Sequence, residues 1–194
     1  MTRKIVYSIA LLAFLTASVM TILANSIPRW ISWDHTTPSG VRIHSTYGLH
    51  RLCSSLTNTC EPFPQYEDCQ GSNRYFCSMW RSVGWMMSFA VVLEGMTLVA
   101  YVAIMGGGRQ KRETGWKVLS FLMVLTAVVQ CASMAIIAYL YDNDERFFEG
   151  WRLDTSWGLC TSSWAILVGS ALTICVSAWV LPSEGGYELV AGGE

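Results

Sequence analysis

The stretch VGWMMSFAVVLEGMTLVAYVAIM, residues 83–105, decides the fold class of this chain. It contains a single charged side chain, Glu94. A helix needs about 20 apolar residues to cross a hydrocarbon core about 30 Å thick, because it rises 1.5 Å per residue. Lipid offers backbone groups no other hydrogen-bond partners, so a segment that crosses it folds as a helix. We therefore predict that residues 83–105 form a membrane-spanning helix.

The rest of the chain is equally apolar. Of its 194 residues, 52% are hydrophobic and 14% are charged, against about 25% charged in soluble proteins. Three further stretches have the length and composition of spans: 5–24, 118–141 and 159–181. We predict one domain, residues 1–194, that is an α-helical membrane protein with a four-helix bundle.

The first span has an alternative interpretation as a secretory signal, since Arg3 and Lys4 precede it and small residues surround Ala24. The apolar region of a signal peptide has about 7 to 15 residues. Residues 5–24 form a longer run than that, which favours an uncleaved helix.

The basic residues predict the orientation. They are densest on the side of the N-terminus and of the turn between spans two and three, at Arg3, Lys4, Arg109, Lys111, Arg112 and Lys117. Cytoplasmic segments near spans carry the excess of lysine and arginine. We expect both termini and the tail 182–194 in the cytoplasm, loops 27–81 and 142–158 outside, and the plasma membrane as the location.

Four of the seven cysteines lie in loop 27–81: Cys53, Cys60, Cys69 and Cys77. Disulfides persist in the oxidising space that this loop is predicted to face. Free thiols and a zinc site are the alternatives, but the loop has no Cys-x-x-Cys pair. Three pairings are possible, and nearness in sequence favours Cys53 with Cys60 and Cys69 with Cys77.

A small β-sheet is predicted in the same loop. In GVRIHSTY, residues 40–47, Val41 and Ile43 alternate with Arg42 and His44, as in a half-buried strand. A disulfide with a six-residue spacer suits two adjacent strands. Tryptophans bracket the loop and are typical of a membrane interface: Trp30, Trp33, Trp80 and Trp85.

Three short motifs resemble the claudin and peripheral myelin protein superfamily of four-span membrane proteins: PRW at 28–30, GLHRLC at 48–53 and WR at 80–81. The family's pattern is Trp, then Gly-Leu-Trp, then two cysteines. The residues that match are Trp30, Gly48, Leu49, Cys53 and a basic residue opening span two, Arg81.

His50 departs from the pattern, because it stands where the family has the second tryptophan. The chain is most similar to the claudin-like proteins of filamentous fungi, which lack tight junctions. The resemblance therefore implies an interaction or scaffold role and not a paracellular barrier.

Glu94 lies about halfway along span two, where a carboxylate costs at least a few kcal/mol. We expect it to face the bundle, with Gln130 of span three as its partner. One interpretation is a protonated Glu94 that joins two helices by a hydrogen bond, and the other is an ion or proton site. Helix-spaced small residues, including Gly169, Thr173 and Ser177, predict close packing between helices of the bundle.

The sequence shows no glycine-rich phosphate loop, zinc-protease motif or nucleophile elbow. We therefore expect no enzyme activity, no cofactor and no bound metal, and the scattered basic residues predict no nucleic-acid partner. The expected partners are membrane lipids and other membrane proteins or further copies of the chain, in a homo- or hetero-oligomer. Three functions stay open: a membrane scaffold, an auxiliary subunit of a channel, pump or cell-wall synthase, and an ion or small-solute pathway through Glu94.

Overall fold

A computed structural model of the chain describes residues 2–37, 40, 42–71, 74–107, 111 and 114–180. Within these residues, four helices are long and apolar enough to cross a membrane. They are α1 (Thr2–Ser26), α2 (Arg74–Met105), α3 (Trp116–Asn143) and α4 (Thr155–Val180). Each helix packs on the next, and α4 packs on α1, so the four form a closed ring. The predicted fold class, a four-helix membrane bundle with a small disulfide-linked sheet, is confirmed.

Helix α2 begins at Arg74, nine residues before the predicted start of span two. Its added turns carry Phe76, Cys77 and Trp80, all of which are buried. The helix begins before the predicted span because tertiary packing, and not lipid, covers these turns. Residues 74–81 are therefore helix and not loop.

The other predicted span limits lie closer to the ends of the observed helices. Helix α1 extends to Ser26, α3 covers two more residues at each end than predicted, and α4 begins at Thr155 instead of 159. Residue 181, the tail 182–194, and the predicted cytoplasmic Arg109 and Arg112 lie outside the described residues. So do the side chains of Arg3 and Lys4, and the orientation remains a prediction.

The sheet at one end of the bundle has five antiparallel strands in the order β4-β3-β2-β1-β5. They are β1 (Ile31–Thr36), β2 (Arg42–Tyr47), β3 (Arg51–Ser54), β4 (Thr59–Pro62) and β5 (Trp151–Leu153). We call this the sheet end. The strand predicted in 40–47 is β2, whereas β5 was not predicted and comes from the short loop 142–158.

The interior of the bundle has three layers. An apolar cluster at the sheet end surrounds Trp30, Phe63 and Trp80, and a second cluster at the opposite end surrounds Phe14 and Tyr101. Between them lie the buried polar side chains Thr21, Glu94, Thr97, Thr126, Gln130, Ser133 and Ser163. A polar layer thus separates two apolar cores near the middle of the spans.

Candidate functional site

Both disulfides that the sequence favoured are present in the structure. Cys53 of β3 and Cys60 of β4 are directly opposite each other in the strand register and are bonded. Cys69 bonds Cys77 and so joins a short 3-10 helix, Glu67–Cys69, to the first turns of α2. The first bond fixes the outermost hairpin of the sheet, and the second fixes the loop before α2 to the bundle.

The hairpin of β3 and β4 carries an exposed apolar residue at its tip. Leu56 in the connecting turn is 69% exposed, and all four residues of β4 are exposed. The Cys53–Cys60 bond lies directly behind this turn. A leucine is therefore held outward on a cross-linked hairpin at the free edge of the sheet.

Trp30 joins the end of α1 to the sheet. Its indole Nε1 donates to the Ala24 carbonyl at 2.8 Å, which satisfies one of the carbonyls left free at the end of the helix. Its backbone N–H donates to the Tyr47 carbonyl at 2.9 Å. The side chain is fully buried, so its predicted place in an interfacial belt was wrong.

A close contact with Pro28 requires a glycine at position 48. It lies in the turn between β2 and β3, where its N–H donates to the Arg51 carbonyl at 2.8 Å. A Cβ at this position would lie 2.4 Å from the Pro28 Cα atom. The following residue, Leu49, is buried in the apolar core of the sheet end.

Trp80 is a structural residue that sequence analysis assigned to the interface. It is fully buried, and its indole Nε1 donates to the Gly48 carbonyl at 3.2 Å. Of the four tryptophans predicted in the belt, Trp85 alone, 79% exposed, has the exposure expected of a belt residue. The heptad-like spacing of Phe76, Trp80, Val83 and Met87 on the buried face of α2 was the available signal.

His50 and Arg81 occupy the outer surface of the sheet end. The His50 ring lies against Gly84 of α2, 3.4 Å from where a Cβ would stand. Arg81 is exposed and lies seven residues inside α2. The helix begins before it, at Arg74, and the place of Arg81 at the opening of the membrane span stays a prediction.

An aromatic cluster connects the sheet to the helices, with neighbouring ring centroids 5.0 to 6.2 Å apart. Its members are Tyr47, Phe63, Phe76, Trp80, Phe147 and Trp151. Burial raises the pKa of the Tyr47 phenol, while the charge of Arg146 opposes that rise. The guanidinium of Arg146 lies 4.3 Å from the centre of the Phe76 ring. The segment after α3 therefore folds inward onto the sheet, although Phe148 remains exposed.

Glu94 and Gln130 meet as predicted, and Thr21 and Ser163 complete a cluster with one residue from each helix. Gln130 Nε2 donates to Glu94 Oε1 at 3.0 Å and to Thr21 Oγ1 at 2.8 Å. Thr21 Oγ1 donates to Glu94 Oε1 at 2.7 Å, and Ser163 Oγ lies 2.8 Å from Thr21 Oγ1. We call these four residues the polar cluster. The sequence identified the two longest side chains but not the two hydroxyl groups.

The polar cluster leaves two oxygen atoms unpaired. Among the described residues, Glu94 Oε2 and Gln130 Oε1 are buried and have no hydrogen-bond partner. Unpaired buried polar atoms are costly and call for a structural or functional reason.

One face of α4 that points away from the bundle is lined with small residues. They are Gly158, Ser162, Ala165, Gly169 and Thr173, spaced three or four residues apart, and all are exposed. A Cβ on either glycine would meet nothing within 4 Å. Gly169 and Thr173 were expected to pack inside the bundle, and that expectation was wrong. The buried face of α4 carries Cys160, Ser163, Leu167 and Ile174 instead.

No known family's sequence model matches this chain, and no curated protein matches it significantly.

Proposed function

We propose that this protein is a non-enzymatic, claudin-like scaffold of the plasma membrane that associates laterally through α4. Its stapled hairpin, β3 and β4, contacts partners outside the membrane, and both termini face the cytoplasm. The small-residue face of α4 carries the proposal. Helix association in lipid depends on close backbone approach, which glycine, alanine and serine permit.

The geometry of this face favours a second helix over lipid alone. Its five small residues form a shallow track along α4. The two hydroxyls nearest the glycines are already bonded, Ser162 Oγ to the Gly158 carbonyl at 3.0 Å and Thr173 Oγ1 to the Gly169 carbonyl at 2.8 Å. A neighbouring helix can therefore approach without leaving these hydroxyl groups unpaired.

The test compares two glycine substitutions in the purified protein, reconstituted in lipid vesicles and labelled for energy transfer between copies. Gly169→Leu fills the α4 track, and we expect it to weaken self-association by about 10-fold, the equivalent of about 1.4 kcal/mol. Gly95→Leu is the matched control, since Gly95 is exposed on α2 and a Cβ there also meets nothing within 4 Å.

Two outcomes would reject self-association through α4: no energy transfer in the wild type, or equal loss in both variants. Extraction from the native membrane in gentle detergent then separates the remaining possibilities. One partner at fixed stoichiometry, without self-assembly, identifies an auxiliary subunit of a channel, pump or cell-wall synthase.

The two unpaired oxygens of the polar cluster favour a second candidate, an ion or small-solute pathway that uses Glu94. Carboxylate and amide oxygens are suitable ligands for a cation or a proton. This candidate requires a flux through vesicles that contain only this protein. Glu94→Gln should abolish that flux at an unchanged protein level.

A further inference from the structure

A groove at the sheet end carries two arginines and a tryptophan on one wall. Arg74, Arg81 and Trp85 lie at positions i, i+7 and i+11 of α2, with Ser78 and Ser82 between them, so all five share one side of the helix. All five are exposed. The groove is open and has a volume of about 1030 Å³.

The second wall of the groove is the segment before α2, which includes Tyr66 and Cys69. Tyr66 is 79% exposed. The Cys69–Cys77 disulfide joins the two walls. This cross-link therefore fixes the width of the groove as well as the position of the loop.

The charge of the side chains that line the groove indicates which class of ligand it can bind. The charged side chains among the described lining residues are Arg74 and Arg81, both cationic. Neither has a carboxylate within 4 Å in the part of the chain that the structure describes, whereas Arg152 on the sheet pairs with Asp34 at 2.5 Å. A guanidinium binds phosphate oxygens through two parallel hydrogen bonds. The groove thus suits a phosphate-bearing anion.

Depth in the membrane identifies the source of that phosphate. Trp85 is the first of a row of exposed apolar residues on α2 that continues through Phe89, Val92, Met96 and Val99, and such a tryptophan lies at headgroup level. Arg81 is four residues nearer the sheet, about 6 Å along the helix axis. The polar layer on each side of a membrane is about 5 to 8 Å thick. Arg81 therefore lies at the depth of lipid phosphates, and Arg74 lies farther out.

A smaller groove of about 450 Å³ adjoins the first across Arg81 and Trp85. Leu49, Phe63 and Pro64 are among its lining residues. Phe63 packs on Phe76 and Trp80 toward the sheet, whereas Gly84, Trp85 and Ser88 form the end of this groove that is nearest the membrane core. The two grooves together therefore extend from the outer headgroup region, past Arg81, to the depth where an acyl chain begins.

We propose that this paired groove binds an anionic phospholipid of the leaflet at the sheet end. Arg81 holds the phosphodiester and Trp85 packs beside the glycerol region, while Arg74, about 10 Å farther out along the helix, attracts anions toward the groove by its charge. A choline headgroup carries a positive charge that both arginines repel, so the site discriminates against zwitterionic lipids.

The test is native mass spectrometry of the full chain in mild detergent, titrated with phosphatidylglycerol or with phosphatidylcholine of the same acyl chains. We expect phosphatidylglycerol to bind about 10-fold more tightly, and Arg81→Gln to lower its affinity about 10-fold through the lost charge-assisted hydrogen bonds. Arg74→Gln should have a smaller effect. Arg42→Gln, on the exposed start of β2, is the control for general loss of charge and should have none.

Three results would overturn the proposal. They are equal affinity for the two lipids, an unchanged affinity in Arg81→Gln, or equal losses in Arg81→Gln and Arg42→Gln. Inorganic phosphate is the remaining arm of the experiment. If it displaces phosphatidylglycerol at similar concentration, the groove is a site for free anions and the lipid assignment is wrong. Circular dichroism confirms that the variants are folded, as expected for exposed arginines.

Discussion

Thr21 is the residue at which the four helices of the bundle meet. Its hydroxyl bonds both Glu94 of α2 and Gln130 of α3, and it lies 2.8 Å from Ser163 Oγ of α4. Interhelical hydrogen bonds in membranes contribute about 0.6 kcal/mol on average, so their number matters. A short side chain in the last two turns of α1 therefore connects all four helices.

At Glu94, we predict that Glu94→Gln is tolerated, because an amide keeps an oxygen that can accept from Thr21 and Gln130. Glu94→Leu removes that acceptor and should destabilise the bundle by about 0.6 to 2 kcal/mol. Unfolding in mixed detergent micelles measures both variants against the wild type.

A large loss of stability in Glu94→Gln would show that the carboxylate itself is needed in the polar cluster. Glu94→Leu without any loss would show that the cluster does not stabilise the bundle. The Thr21→Val variant is a useful comparison, since it removes the shared hydroxyl with almost no change in side-chain volume.

At the scale of elements, the β3–β4 hairpin depends on its cross-link for shape. The Cys53–Cys60 bond closes a loop of eight residues, for which the chain-entropy model gives about 2.5 kcal/mol. All of β4 is exposed, so the hairpin gains little from burial. The bond should therefore determine the geometry of Leu56 more than the insertion of the helices.

We predict that the double variant Cys53→Ser, Cys60→Ser still inserts with four spans but loses partner contact through the hairpin. The measurement is membrane extraction together with cross-linking from a photoreactive residue placed at Leu56. Each single variant should accumulate less well, since it leaves one thiol free to pair with Cys69 or Cys77.

Failure of the double variant to reach the membrane would mean that the hairpin is needed for folding of the bundle. Undiminished cross-linking from position 56 would mean that the cross-link does not shape the contact. Leu56→Ser with both cysteines intact separates loss of the apolar tip from loss of the hairpin's rigidity.

At the scale of the whole molecule, the sheet and the bundle form a continuous core. The aromatic cluster joins β2 and β5 to α2, and the Trp30 and Trp80 indoles bond carbonyl groups at the junction. Aromatic pairs each add about 0.5 to 1.5 kcal/mol beyond area burial. We therefore expect a force on the sheet to be transmitted to the helices and not absorbed by a hinge.

The topology prediction belongs to the same scale. A tag at either terminus should be protected from protease added outside sealed cells, whereas a tag inserted after Thr57, in the hairpin turn, should be cleaved. The physical reason is that basic residues are densest near the N-terminus and in the turn between spans two and three, which lie on the same side of the membrane as both termini. An accessible N-terminal tag would contradict the orientation, and a missing first span would contradict the four-helix bundle in the native membrane.

The sequence by itself determined the four spans, because the length and apolar composition that a helix needs to cross the hydrocarbon core are local properties of the chain. It also favoured the two disulfides, since cysteines close in sequence meet easily. It identified Glu94 and Gln130 as partners because polar side chains are few in the middle of the spans. These features depend on composition and short separations along the chain.

Only the tertiary structure decided the features that depend on distant segments. Nothing near residue 151 predicts β5, which exists because Trp151 pairs with Trp33 of β1. The early start of α2 depends on Phe63 and Tyr47 covering Phe76 and Trp80. The same spacing of small residues occurs on buried and exposed helix faces, so the sequence could not tell which side of α4 carried Gly169. Which face of an apolar helix meets lipid and which meets protein is set by its neighbours, and in lipid both faces can be equally hydrophobic.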